Sequence, residues 1–478
     1  MAINIYNTSS RSKEEFKPLE EKRVGFYQCG PTVYWTQHLG NIRAMVMSDV
    51  IVRTFGYLGY EVNFVRNYTD VGHLTSDEDE GEDKLEKGAK RENLTPQQIS
   101  EKYIKIFEED VKKLNTLSPT HRPKATETVP EIVSMIQTLI DKGFAYQTDL
   151  AIYFDISKAK NYTQLSGQSL EKNIQGAGSG NVTDAQKKNN SDFALWFFKK
   201  GVHENAIQTW KSPWGQGFPG WHIECSAMSK KFIGDTVDIH MGGVEHIPVH
   251  HTNEIAQSES ANDTKFVNYW IHNEHLLVDG GKMSKSQGTS FSVSDIKSKG
   301  YRPLSLRYFF LQAHYRSQQN FTWDALRASQ TGLINLYGQV AKLDNNTSLF
   351  KKIFSPKGKI NIDYKKKFTE KLEDDFNTAQ ALAVVSDLLK SDLNNKDKLA
   401  TILDFDRVLG LDLKNSKSMA PKIFSEEIIP HNIVMLMEKR KEARDNKNYA
   451  EADHLRNEIE KLGFEIKDTP DGQKIHKI

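Results

Sequence analysis

The pattern that most constrains this chain occurs twice: strand, helix, strand. "RVGFYQCG" (23–30) is a short apolar run with β character. After a turn comes "HLGNIRAMVMSDVIVRTFGYLGY", with Ile42, Met45, Val46, Val50 and Ile51 at helical spacing. "EVNFVRNYTD" then alternates and reads as a strand. Downstream, "TVDIHMGG" reads as a strand, "HHTNEIAQSES" as a helix and "FVNYWIHNEHLLV" as one strand. A strand–helix–strand unit of this length closes as a parallel crossover. Two such units predict an α/β, Rossmann-like, doubly wound parallel sheet with ligands at the carboxyl ends of its strands.

The chain has 478 residues, too many for a single core. Between the halves, roughly 113–217, lies material of different texture, which predicts an insertion. It contains "NIQGAGSGNVTDAQKKNNSD", a polar Gly/Ser/Asn-rich stretch expected to be a mobile loop. The run Asp77–Asp83 packs six acids and reads as a solvated face or loop. Beyond residue 320 helical patterns dominate. "EKLEDDFNTAQALAVVSDLL" reads as one amphipathic helix, and "NIVMLMEKRKEARDNKNYAEADHLRNEIEKLG" as a helical hairpin broken near Asp445–Asn448.

Charge narrows the partners little. Lys and Arg total 64 against 63 Asp and Glu, so any nucleic-acid face must be local. Two cysteines make no disulfide framework and fit a reducing compartment. The N-terminal stretch has no signal-peptide core, and no run of about 18 apolar residues is present. The expectation is a cytoplasmic protein with no membrane association.

The two cysteines raise a question of chemistry. His250 and Glu254 are spaced i, i+4, which puts both on one helix face. Cys225 lies 25 positions before His250, and Cys29 closes the first strand. Imidazole, carboxylate and two thiolates suit zinc. On spacing alone, two small buried cysteines and an unrelated His/Glu pair remain open. A second constellation bears on ATP. "HLGN" (His38 to Asn41) opens a helix, where free N–H groups and the dipole favour an anion. "KMSKS", from Lys282, carries two lysines, Lys282 and Lys285, on a loop that could close over a polyphosphate.

With "HLGN" early and "KMSKS" late, the chain resembles a class I aminoacyl-tRNA synthetase. "CGPTVY", "NYTDVGH", "DFALW", "GWHIECSAM", "HHTNEIAQS", "HYRSQQNF", "DDFNTAQAL" and "DTPDG" narrow the resemblance to the cysteinyl-tRNA synthetase family over nearly the full length. The resemblance implies one Zn2+ held by Cys29, Cys225, His250 and Glu254. His251, sharing the Glu254 face less well, is the weaker candidate. It implies substrate contacts from Thr69 and Trp221. ATP would be bound by His38, Asn41, Lys282, Lys285 and the ribose segment Gly242, Gly243, Glu245. His38, Asn41, Lys282 and Lys285 would stabilise the reacting phosphates, and Mg2+ would accompany the nucleotide.

The implied partners are ATP, L-cysteine and cysteine tRNA, with a monomeric enzyme. The implied division is a Rossmann-like catalytic domain (1–290), a stem-contact connecting region (291–345), a helical anticodon-binding domain (346–425) and a C-terminal helical hairpin and tail (426–478). The part after the catalytic domain is expected to be all-α and to bind tRNA, with "MEKRKEAR" as a candidate phosphate-contacting face. Four positions depart from the family pattern: Asn41 for the signature's last His, Glu245 for Asp, Ala379 for Pro, and Ile475 where a Trp is common. Two other readings are weighed: a ligase joining cysteine to an amino sugar, which should lack the anticodon-binding helices, and a non-catalytic RNA-binding paralogue, which should have lost a lysine or a zinc ligand.

Overall fold

The computed structural model describes residues 2–72, 84–168, 184–283, 288–343, 358–419, 431–469 and 472–477. Its centre is a four-stranded parallel sheet. The strands are β1 (Arg23–Gln28), β2 (Glu61–Arg66), β3 (Val237–Gly243) and β4 (Val267–Asn273), in the order β4-β3-β1-β2. The predicted crossovers are both present. Helix α1 (Leu39–Tyr57) joins β1 to β2, and α3 (His250–Asn262) joins β3 to β4; α2 (Trp221–Phe232) leads into β3. The chain therefore winds outward in both directions from the β1–β3 pair, and a crevice must open at the carboxyl ends of those two strands.

The α1 pattern works as expected: Ile42, Met45, Val46 and Ile51 join the core under the sheet, together with Phe26, Phe64 and Ile239. The material between β2 and β3 forms a separate five-stranded antiparallel sheet, ordered Ala145–Gln147, Ala151–Phe154, Phe193–Phe198, Gly215–Pro219, Trp210–Ser212. Helix Val129–Asp141 packs with it through Ile132, Ile136 and Leu139. The Gly-rich part of the predicted loop (169–183) and the acidic run (73–83) lie outside the described residues. Where the loop's far end is described, Asp184 accepts from the Thr148 hydroxyl at 2.8 Å and Asp192 from Tyr146 at 2.6 Å.

Three expectations are corrected. "FVNYWIHNEHLLV" is two strands. β4 ends at Asn273, and Leu276–Val278 joins another sheet with Gly281–Lys282 and Gln319–Phe321. The break has a cause: Glu274 N donates to Tyr315 O, and Arg43 takes the carbonyls of Glu274 and His275. "EKLEDDFNTAQALAVVSDLL" is likewise broken, into helices Ile362–Glu373 and Thr378–Lys390. Asp375 and Phe376 between them have φ of 59° and 56°, and the Asn377 side chain caps the second helix. Asp and Asn favour such breaks because their short polar side chains satisfy local backbone groups. The third correction concerns the all-α expectation for the end of the chain. The tail does hold the helical hairpin His431–Asp445 and Tyr449–Lys461, but it closes with a β-hairpin, Phe464–Thr469 and Gly472–Lys477.

Cα packing divides the chain into two compact units, 1–333 with 354–412 and 334–353 with 413–478. The second has its own small core of Ile433, Ile459, Phe464 and Ile466, and Arg440 makes a two-pronged pair with Asp468 at 3.0 Å for each bond. Among the described residues no helix is long and apolar enough to cross a membrane.

Candidate active site

The crevice at the carboxyl ends of β1 and β3 holds a cavity of about 380 Å3. Its lining brings together most of the residues singled out in the sequence: Cys29, His38, Asn41, Thr69, Trp221, Cys225, Gly242, Gly243, Glu245, His250 and Lys282. Glu254 lies beneath the lining, fully buried. Lys285 lies outside the described residues.

The walls follow from close backbone approach. The loops after β1 and β2 pair through Val33 N to Thr69 O and Thr69 N to Pro31 O, both 3.2 Å. Gly30 sits where they touch: a Cβ there would fall 1.6 Å from Asn67 O, so only glycine fits. At the end of β3 a Cβ on Gly242 would lie 2.5 Å from the His251 ring. The strand thus passes directly over His251 of α3.

The floor is the cluster of metal-ligating types. Cys29, Cys225, His250 and Glu254 are all buried and place one ligand atom each within 4.8 Å of one another. His250 Nε2 lies 2.9 Å from Glu254 Oε1, and its Nδ1 lies 2.9 Å from His222 Nδ1. A second set, Cys29, His240, His251 and Glu254, meets the same condition and shares two members. His251, which by spacing shares the Glu254 face less well, lies farther from it than His250 does, 3.9 Å from Glu254 Oε1. Its Nε2 is 3.4 Å from Cys29 Sγ, and its Nδ1 is 2.7 Å from His272 Nε2.

Electrostatics prepare the cluster for a cation. Burial raises the Cys29 thiol well above its ordinary range, whereas Cys225, hydrogen-bonded by Cys29, falls to about 7. Burial would also raise Glu254, but His240 and His250 overcome it and hold the carboxylate well below its usual range. Burial opposes protonation of His250, yet Glu254 and Cys225 push it up to about 10. The carboxylate and the lowered thiol thus both favour a nearby positive charge, the condition under which a cation is held. The Glu254 Oε2 atom is buried with no hydrogen-bond partner among the described residues. Two sulfurs, an imidazole and a carboxylate oxygen form a donor set that could hold a metal ion, of the kind that suits zinc.

The rest of the lining is largely polar. His38 caps α1: its Nδ1 accepts from Gly40 N at 3.1 Å and Asn41 N at 3.3 Å, which leaves the ring proton on Nε2. The Asn41 amide donates to Gln37 Oε1 at 2.6 Å. Lys282, exposed, stands on the short strand paired with Leu276–Val278. Glu245 reaches His275, 3.7 Å away. Thr69 donates to Glu224 at 3.3 Å, and the Trp221 ring lies over that of His250 with centroids 4.4 Å apart.

The sequence reading missed His222, His240, His246, His272 and Glu224, which surround the cluster. A signal existed for two of them: His240 sits on β3, which flanks the crevice, and His272 on the neighbouring β4, one residue before its end.

Similarity to known proteins agrees with this geometry. Three family models match: the tRNA synthetases class I (C) catalytic domain over residues 15–331, the DALR domain over 367–413, and the cysteinyl-tRNA ligase anticodon binding domain over 429–475. A cysteine–tRNA ligase of Treponema denticola is 41% identical, with 98% of each chain covered. Cysteine–tRNA ligase 1 of Burkholderia lata is 40% identical over 99% of this chain and 97% of its own. In fold the chain is similar to methionyl-tRNA synthetase of Mycobacterium tuberculosis, with a TM-score of 0.52, 14% identity, and 84% and 93% of the two chains covered. It is also similar to a LeuRS from Agrobacterium radiobacter solved as a ternary complex, with a TM-score of 0.61, 12% identity, and 85% and 86% covered. A catalytic-domain match over most of the chain, an anticodon-domain match at its end and full-length relatives at about 40% identity lead to one conclusion: the chain belongs to the cysteine–tRNA ligase family of class I aminoacyl-tRNA synthetases.

Proposed function

We propose that this chain is a cysteine–tRNA ligase. It activates L-cysteine with ATP to cysteinyl-adenylate, releases pyrophosphate, and transfers the cysteinyl group to the 3′ end of cysteine tRNA. The observation that carries this reading is that one cavity is lined both by Cys29, Cys225 and His250 of the buried cluster they form with Glu254 and by the His38 helix start and Lys282.

The floor sets substrate choice. A zinc ion held by those four residues would bind the substrate thiolate, a bond that a serine hydroxyl cannot match. Cys225 is preferred to the His240/His251 set because it adds a second sulfur. Thr69 and Trp221 shape the space beside the cluster. Thr69 is oriented by Glu224, and Trp221 covers His250.

Other residues of the same cavity handle ATP. The substrate carboxylate attacks the α-phosphate in line, and no covalent enzyme intermediate is required. His38, with its proton on Nε2, donates to phosphate from a helix start that already favours anions. Asn41, oriented by Gln37, is a neutral donor beside it. Lys282 and Lys285 meet the phosphates from the KMSKS segment as charge develops. Gly242, Gly243 and Glu245 hold the ribose, and Mg2+ accompanies the pyrophosphate.

The remaining assignments rest on the family: a monomer in the cytoplasm, divided near residues 290, 345 and 425, with tRNA contacted from the later parts. The amino-sugar ligase reading expected no anticodon-binding region, whereas the family model for one matches 429–475. The non-catalytic reading expected a lost ligand or lysine, and all of them are present. Charging of cysteine tRNA with radiolabelled cysteine tests the proposal. ATP-dependent, tRNA-dependent incorporation is expected, and transfer to an amino sugar in its place would overturn it.

A further inference from the structure

Asp375 is fully buried in the break between helices Ile362–Glu373 and Thr378–Lys390. It occupies the left-handed region, φ 59°, as does Phe376 at 56°, a conformation that costs a non-glycine residue energy unless its surroundings enforce it. Those surroundings are specific. The carboxylate accepts from Tyr6 N at 3.0 Å, the Tyr315 hydroxyl at 2.7 Å and Arg316 Nε at 2.7 Å. The carbonyl of Asp375 is met by His314 Nε2 at 2.9 Å.

The segment it grips is fastened at its other side to the active-site cavity. Glu274 N donates to Tyr315 O at 2.9 Å. Arg43, wholly buried on α1 two residues after Asn41, donates to the carbonyls of Glu274, His314 and Ser317 at 2.6, 3.1 and 2.8 Å. Glu274 and His275 line the cavity on the side of Glu245 and Lys282. The helical segment matched by the DALR model is thus joined to the cavity wall by an unbroken run of short polar contacts.

We propose that Asp375 is a positioning residue for the nucleotide side of the site. Through Tyr315 and Arg316 it fixes the turn that, with Arg43, sets where the Glu274–His275 wall stands. The inference rests on the functional reading above, with ATP on that wall and cysteine over the metal cluster. It predicts a selective defect. Moving the wall should impair ATP use and the rate of activation and leave cysteine recognition in place, because positional errors of about 1 Å in a catalytic wall cost on the order of a hundredfold.

The test is pyrophosphate exchange by the full-length protein with the variants Asp375→Asn and Tyr315→Phe, well below each variant's Tm. The milder Tyr315→Phe removes only the hydroxyl and serves should the first fail to fold. Asp375→Asn is expected to lower kcat at least tenfold and raise KM for ATP, with KM for cysteine within twofold of wild type. Tyr315→Phe should move the same constants about threefold. Combined with Arg43→Lys, Asp375→Asn should be non-additive in kcat, since both act on one wall. A lower Tm with unchanged constants, or equal shifts in both KM values, would reduce Asp375 to a structural residue and overturn the inference. Wild-type protein that exchanges no pyrophosphate with cysteine would instead overturn the functional reading beneath it.

Discussion

Replacing His250 by alanine separates the two donor sets that share Cys29 and Glu254. His250 supplies Nε2, 2.9 Å from Glu254 Oε1, and belongs to the set with both sulfurs. Losing a group that merely supports a ligand costs about 10–100-fold in metal affinity. Losing a ligand itself should exceed that range, so more than about 100-fold, or roughly 2.8 kcal/mol at 1.4 kcal/mol per decade. His251→Ala removes a ring 3.4 Å from Cys29 Sγ that is held by His272. On this account it is a support, and its loss should stay within about 10–100-fold. The assay is zinc competition against a chromogenic chelator under reducing conditions, with circular dichroism confirming that each metal-free variant is folded. A larger loss in His251→Ala than in His250→Ala would refute the assignment and favour Cys29, His240, His251 and Glu254.

Three further outcomes are expected. Arg307, fully buried, donates to Leu409 O at 2.7 Å, Leu114 O at 3.1 Å and Asp49 at 2.6 Å, so Arg307→Ala should destabilise the protein by about 3–5 kcal/mol in denaturant unfolding. A loss below about 1 kcal/mol would mean that water replaces the guanidinium. Lys285→Ala should slow adenylate formation on the order of a hundredfold with cysteine affinity nearly intact, read by single-turnover kinetics. The opposite split would make it a substrate ligand. Deleting residues 426–478, which span the anticodon-domain match, should spare pyrophosphate exchange and impair tRNA charging. Equal loss in both assays would mark the tail as a stabiliser of the fold.

What could be read from the sequence depended on the range of the signal. The β1–α1–β2 and β3–α3–β4 units were legible because their apolar periodicities are local. The crevice followed, because the reversal of winding between them is a consequence of topology. The His250–Glu254 pair was legible from helix spacing alone. Its meeting with Cys29 and Cys225 was reached only through family resemblance, since no local rule joins positions so far apart in sequence. That His251 also comes within 3.9 Å of Glu254 was not visible in the sequence, because it depends on how closely strand and helix pack, as Gly242 permits here. The break at Glu274 was invisible because Arg43, far away in sequence, creates it. The break at Asp375 did carry a signal in "DDFN", whose two Asp and one Asn favour turns and caps. The terminal β-hairpin was missed because "FEIKDT" and "QKIHK" are short alternating runs beside strong helical patterns.

The most direct test is ATP–pyrophosphate exchange by the zinc-loaded protein across the twenty amino acids, with cysteine and serine compared by kcat/KM. A site that selects by bonding the thiolate predicts exchange with cysteine and rejection of serine on the order of 10⁴-fold, the range reached when a site is built around one substrate group. Exchange with a different amino acid, or cysteine and serine used within tenfold of each other, would contradict the reading of Cys29, Cys225, His250 and Glu254 as the centre that chooses the substrate.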